Sequence, residues 1–261
     1  MKNIFKVFIN LILVLILIYS SFSIYTKFSS YKKASETYDK VKSEYENYKL
    51  ESKDNNNQLI TSKSLSELNS NFKFWIKVDK TNIDYPVVQT TNNDHYLKYD
   101  FYNKPSDSGC IFMDYRDNAK SKNIILYGHN MRNKTMFNNL LKFKDKDFFD
   151  KNNKIRVFKD NKEYIYEVFS VYTTDSKYDY LITNFNNLNE FKNYINNIKN
   201  KSLFKSNIKV NSNDKIITLS TCSYEFDDAR TVVHAKLLNN KKDYAATSYS
   251  PRQLPTKYHR R

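Results

Sequence analysis

Between Phe72 and Leu238 the chain repeats one pattern: short runs rich in β-branched and aromatic residues, separated by polar stretches of Asn, Asp, Ser and Lys. The runs are Phe72–Val78, Ile83–Gln89, Ile111–Asp114, Asn123–Tyr127, Ile155–Phe158, Tyr164–Val171, Lys215–Leu219 and Thr231–Leu238. Runs of this length and composition read as strands. Two intervening stretches read better as helix, Met136–Leu141 and Leu188–Lys199. Seven or eight short strands with few helices predict a mainly β domain, a barrel or sandwich with helices on its flank. About 175 residues is an ordinary size for one such domain.

The chain holds only two glycines, Gly109 and Gly128. Asn and Asp tolerate left-handed backbone and are expected to supply most turns. Gly128 then stands out, because it precedes His129 at the end of a strand run. A glycine there is expected to let the chain turn sharply and approach a ligand closely.

Ahead of the β region lies Val7–Ile18, interrupted only by Asn10 and preceded by Lys2 and Lys6. Extended through Phe22, Ile24 and Tyr25, it reaches roughly 20 residues, enough to cross a bilayer as a helix. A cleaved signal peptide competes, but Ser20-Ser21-Phe22-Ser23 is a poor cleavage site. The expected organisation is an anchor over 1–26, a juxtamembrane helix and linker over 27–64, the folded domain over 65–240 and a disordered tail over 241–261. Tyr31, Tyr38, Val41, Tyr45 and Tyr48 form a helical stripe in the second segment, expected to pack on the folded domain, with pairing to another copy as the alternative. The linker is placed at Lys53–Gln58. The tail concentrates proline and arginine unlike the body and takes no part in the functional reading. Lys2 and Lys6 favour a cytoplasmic N-terminus, though Lys27, Lys32 and Lys33 weaken the contrast.

The formal net charge is +15. That favours polyanions in general. The lysines are scattered and no nucleic-acid motif accompanies them, so anionic lipid or an anionic envelope polymer is the expected neighbour. No His or Cys pair has metal-ligand spacing, and two separated glycines build no phosphate loop; no cofactor or metal is expected.

Chemistry concentrates in Thr218–Arg230, T-L-S-T-C-S-Y-E-F-D-D-A-R. Alternation puts Thr218, Ser220 and Cys222 on one face, with Ile217 and Leu219 toward the core. A thiol on the polar face suits a nucleophile, which needs access; a structural cysteine is the competing reading. A polar segment of seven residues returns the chain as a hairpin and brings Arg230 near Cys222. A guanidinium there can hold a carbonyl and steady an oxyanion. Alternatively Arg230 is a surface residue paired with Glu225, Asp227 or Asp228. His234 lies four residues beyond Arg230, roughly 13 Å along the strand, too far to serve Cys222. His129 is left as the candidate acid and base, with a packed histidine at a strand end as the alternative. Cys110 reads as buried filler, although a disulfide with Cys222 is not excluded by sequence.

Together T-L-S-T-C with Arg230 downstream and Tyr127-Gly-His-Asn130 upstream resemble the sortases of Gram-positive bacteria, most of all class B. Phe74-Trp-Ile-Lys-Val78, Ile83–Gln89, Asn93-Asp-His-Tyr-Leu97 and Gly109–Arg116 support the likeness, which covers about Leu65 to Asn239. The resemblance implies an eight-stranded β-barrel with flanking helices behind a transmembrane helix, in the cell membrane with its catalytic domain outside. It implies a cysteine transpeptidase without metal or cofactor. Its partners would be secreted proteins carrying a C-terminal sorting signal and an amine of a peptidoglycan precursor, with no nucleic acid. Cys222 would be the nucleophile, His129 the proton donor and acceptor, and Arg230 the positioning and oxyanion group. Tyr180, Ser220 and Thr221 would touch substrate, and Tyr172–Asn207 would wall the peptide groove. A plain cysteine protease and a non-enzymatic anchored β-domain that binds wall polymer or a partner are the alternatives.

Overall fold

A computed structural model describes residues 2–54, 65–176 and 180–238. Eight strands form a closed barrel: β1 (Phe72–Val78), β2 (Asp84–Val88), β3 (Ile111–Met113), β4 (Asn123–Tyr127), β5 (Lys154–Lys159), β6 (Lys162–Asp175), β7 (Ile216–Cys222) and β8 (Ala229–Leu237). Their order around the barrel is β1-β2-β3-β4-β7-β8-β6-β5. Each falls on one of the runs predicted from alternation and β-branching. β6 is longer than its run at both ends, because Lys162 and Glu163 pair with β5 and the β8 pairing continues to Asp175, with a bulge between Val168 and Ser170.

The helical expectations fare differently. The stretch Leu188–Asn200 is an α-helix, capped by Asn187, whose side chain accepts from the Glu190 amide at 2.9 Å. It buries Phe191, Tyr194, Ile195 and Ile198, one face at helical spacing. Met136–Leu141 is not an α-helix. Met136 has φ 53°, which an α-helix cannot contain, and a 3-10 helix follows at Asn138–Lys144. A short helix over Lys146–Lys151, capped by Asp145, escaped the sequence pattern.

One continuous α-helix, α1, runs from Lys2 to Asp54. The separate anchor and juxtamembrane helix expected from composition are thus one rod. Its helix includes Lys53 and Asp54; the rest of the expected linker and the tail beyond 238 lie outside the described residues. The aromatic stripe packs on the barrel as expected: Tyr38, Val41 and Tyr45 are buried and join the main core. Tyr45 stacks on Trp75 with centroids 4.2 Å apart, and Tyr38 meets Tyr85 edge-on at 5.3 Å. Residues 3–29 of α1 are exposed throughout. This is the one helix, among the described residues, long and apolar enough to cross a membrane.

There are two cores. The first fills the barrel with Trp75, Ile76, Val87, Phe112, Leu126, Ile217, Leu219 and their neighbours. The second lies between the barrel wall and the helix Leu188–Asn200, with Phe169, Tyr172, Tyr180, Ile216 and Val232. The hydroxyl face of β7, expected to be open, is therefore covered: Thr218 and Ser220 are buried, and only Cys222 at the strand end is half-exposed.

His234 sits in this second layer, fully buried. It shares hydrogen bonds of 2.9 Å with the Tyr172 hydroxyl and the Thr218 hydroxyl. Burial pulls its imidazole down from 6.5 to about 3. An unfolded chain takes up this proton below 6.5 and the folded chain only below about 3, so stability falls as pH drops through that window. Between pH 7 and 5 this amounts to about 2 kcal/mol. Urea unfolding in detergent should show the loss for the natural chain, and a loss smaller by about that amount for His234→Gln. Carboxylates common to both proteins, such as buried Asp117 with its raised value of about 6, cancel in the comparison.

Candidate active site

The parallel pairing of β4 with β7 runs from Asn123 beside Ile216 to Tyr127 beside Ser220. The ladder ends there, one residue before Gly128 and two residues before Cys222. Three hydrogen bonds continue the pairing past the last ladder position. The Gly128 amide donates to the Ser220 carbonyl at 3.3 Å, and the Thr221 hydroxyl donates to the Gly128 carbonyl at 2.7 Å. The Asn130 amide group donates to the Cys222 carbonyl at 2.9 Å. Adjacent strands lie about 4.8 Å apart, so the imidazole and the thiol come from neighbouring backbones at one end of the barrel.

Gly128 works differently from the expectation. Its φ is not in the left-handed region. A Cβ there would lie 2.4 Å from Ile111 Cδ1 and 2.9 Å from the Phe137 ring. The residue is small because the core closes over it, and the chain leaves β4 without a special turn. Gly109 is the glycine with left-handed backbone, at φ 55°, where a Cβ would meet the Tyr96 carbonyl at 2.3 Å.

Cys222 also faces Arg230 across the β7–β8 hairpin. Residues directly opposite on antiparallel strands share a face, with Cβ atoms about 5 Å apart. The guanidinium Nη1 donates to the carbonyls of Asp228 and Ala229, both at 3.0 Å. Among the described residues Arg230 forms no ion pair. Glu225, expected as a possible partner, instead binds Lys144 and the Ser223 hydroxyl. Partial burial works against its charge, but these two donors outweigh it and hold Glu225 down at about 2. Nε and Nη2 of Arg230 have no hydrogen bond among the described residues, a donor pair suited to a carbonyl oxygen.

The half-buried His129 ring has its Nε2 2.8 Å from the Leu97 carbonyl. A carbonyl only accepts, so Nε2 carries the proton and Nδ1 is left for proton exchange. Nothing in sequence pointed to Leu97, because a backbone carbonyl is independent of side-chain identity. Asn130 was nearer to hand, adjacent to His129 in the quoted motif, and its side chain is further held by Asn138 at 2.6 Å.

Tyr180 is buried, and its hydroxyl shares a 2.8 Å hydrogen bond with Ser220. Burial pushes this phenol up, Ser220 and the nearby Arg230 oppose the rise, and Cys222 adds to it. The chain around Tyr180 is held by its carbonyls. Tyr194 donates to Tyr180 O at 2.8 Å, Arg116 to Leu181 O at 3.1 Å, and Asn123 to Ile182 O at 2.8 Å. Arg116 is itself gripped by both oxygens of buried Asp114. Burial alone would raise the Asp114 carboxyl, but hydrogen bonds from Arg116, Tyr127 and Asn93 hold it below the usual range. Thr221, in contrast, turns its hydroxyl inward to Gly128 and ties the two strand ends together.

Cys110 is buried, and burial pushes its thiol up to about 12. Both cysteines are free. Among the described residues no group of three or more His, Cys, Asp or Glu is placed to hold a metal.

A thiol, an imidazole whose Nδ1 has no hydrogen bond among the described residues and a guanidinium at the mouth of a closed eight-stranded barrel suit covalent acyl transfer. Comparison with known proteins agrees with this class. The model of the sortase domain matches residues 76–238. Sortase B of Listeria monocytogenes is 37% identical over 180 residues, covering 67% of this chain and 73% of that protein. The X-ray structure of Clostridium perfringens sortase B is 44% identical with a TM-score of 0.66, covering 68% of this chain and 99% of that one. A Staphylococcus aureus sortase B–substrate complex is 32% identical with a TM-score of 0.73, covering 79% and 97%. The chain belongs to the sortase family, class B, and is a cysteine transpeptidase. A purely non-enzymatic role falls away with that membership.

Neutral His129 should carry its proton on Nε2 because of the Leu97 carbonyl. Long-range 1H–15N NMR of the imidazole at a pH where the ring is neutral checks this. A dominant Nδ1–H tautomer would contradict the hydrogen bond.

Proposed function

We propose that Cys222 attacks a peptide bond within a sorting signal near the C-terminus of a secreted protein. The pairing of Cys222 with Arg230 on β7–β8, with His129 just past the end of β4 beside β7, carries this reading. Cys222 passes its thiol proton to Nδ1 of His129, the resulting thiolate adds to the carbonyl carbon, and the carbonyl oxygen becomes an oxyanion facing the free Nε and Nη2 donors of Arg230. The C–N bond then breaks, and the departing amine takes a proton from Nδ1 of His129. A thioester remains on Cys222. An amine of a cell-wall precursor attacks it, His129 accepts the proton, and the thiol is released. Nε2 of His129 stays on Leu97 throughout, so one nitrogen handles both transfers.

The peptide approaches along the side walled by Tyr180–Thr183, where the buried, mutually hydrogen-bonded Tyr180 and Ser220 back the groove beside Cys222. The captured substrate complex of the similar S. aureus enzyme supports a peptide groove of this kind. Thr221 acts through its bond to Gly128 instead of through direct contact with substrate. The apolar, wholly exposed N-terminal part of α1 anchors the enzyme in the cell membrane, with the barrel on the outer side.

Cys222→Ala should abolish cleavage of fluorogenic sorting peptides while leaving the circular dichroism of the domain unchanged. Retained cleavage would sink the nucleophile assignment. Adding an amine nucleophile should yield ligated product; hydrolysis alone would make the enzyme a plain protease.

Arg230→Lys retains charge but loses the planar pair of donors. It should lower kcat by ~10²-fold or more, with a smaller change in KM, as for removal of an oxyanion donor. A wild-type kcat in Arg230→Lys would exclude that role.

A further inference from the structure

The continuity of α1 makes it a ruler laid along the barrel. Exposed large apolar side chains on it end at Phe28. Flanking that point, Lys27 pairs with Asp107 at 3.0 Å, and Ser30 reaches the same carboxylate at 3.5 Å. Asp107 therefore sits level with the end of the apolar span. Eighteen residues further, about 27 Å along a straight helix, Tyr45 stacks on Trp75. Trp75 pairs with Phe158, whose partner Glu163 begins the β5–β6 hairpin. That hairpin thus lies on the Tyr45 side of the barrel, away from the apolar span.

A small hairpin outside the barrel strands runs beside α1. Ser106 N donates to Lys98 O, Tyr99 bridges Pro105, and Asp100 N donates to Lys104 O. Beyond them Tyr102 donates to Glu44 of α1 at 2.9 Å. Its tip points along α1 away from the apolar span, and its foot, with exposed Lys98 and Asp107, lies at the level of Lys27.

We propose that this foot, Lys98 and Asp107 together with Lys27, rests in the phosphate layer of the bilayer, with the β5–β6 hairpin pointing away. The inference rests on the membrane reading of α1 given above. A bilayer is favoured over a second copy because Val7–Ile18 is apolar on all sides, apart from Asn10, whereas a helix pair needs only a stripe. Lys27 and Lys98 supply ammonium groups to lipid phosphates. Leu97, one residue before Lys98, is the residue whose carbonyl holds His129. The segment that meets the lipid is then the one that fixes the candidate catalytic histidine.

The test uses the full chain carrying Cys222→Ala, in phosphatidylcholine vesicles containing some phosphatidylglycerol and a headgroup-spin-labelled lipid. Cys110 is buried and does not compete for label. A fluorophore is placed through Lys98→Cys or, in a second protein, through Lys162→Cys on the β5–β6 hairpin. The label at 98 should be quenched several-fold more strongly than the label at 162. Equal quenching, or stronger quenching at 162, in a chain that floats with the vesicles overturns the proposal and leaves the anchor intact. A chain that does not float with vesicles overturns the anchor itself, and the proposal with it.

Discussion

Two of the strand pairings in this barrel are parallel, and one of them, β4 with β7, decides where the chemistry stands. Some ninety residues separate His129 from Cys222, and a parallel pairing brings the two strand ends out on the same side. The bonds Thr221–Gly128 and Asn130–Cys222 extend the match beyond the ladder. A slip of one residue would send every side chain of β7 to the opposite face. Ile217 and Leu219 would leave the core, and Cys222 would turn away from Arg230. Burial of the apolar set therefore holds the candidate thiol and guanidinium in register.

The parallel pairing requires a crossover, and the crossover builds the second layer. Between β4 and β7 the chain lays down β5, β6 and the helix Leu188–Asn200, which covers the hydroxyl face of β7. Covering Thr218 and Ser220 demands partners, since buried hydroxyls without hydrogen bonds are costly. Asn123, His234 and Tyr180 supply them. The price is a neutral histidine held against protonation. The gain is that Cys222 is the only member of its face left open to solvent, at the strand end where a peptide can reach it.

Legibility varied with the kind of force involved. Strands were readable because alternation and β-branching are local, so the runs matched the observed strands within a few residues. The amphipathic spacing of Phe191, Tyr194, Ile195 and Ile198 was equally plain. Met136–Leu141 was misread because its apolar spacing suits an α-helix, while tertiary contacts hold Met136 in left-handed backbone, its amide bonded to the Tyr85 hydroxyl. Gly128 was misread because the need for a small side chain came from Ile111 and Phe137, residues distant in sequence. Cys222, His129 and Arg230 were picked out by alternation, hairpin length and motif. The support from Leu97, Asn130 and the Asp114–Arg116 pair carried little or no local signal.

The sequence by itself determined the strands, the apolar span, the helix stripe of α1 and the candidate thiol, imidazole and guanidinium. Each depends on periodicity or on side-chain chemistry, which a one-dimensional pattern retains. Only the tertiary structure decided that β7 lies parallel to β4, that its hydroxyl face is buried, that a backbone carbonyl sets the His129 tautomer, and that α1 is one continuous helix packed in part on the barrel. Those features come from pairings between segments far apart in the chain. Their energy lies in burial and in backbone hydrogen bonds that almost any residue could make, so no local pattern records them.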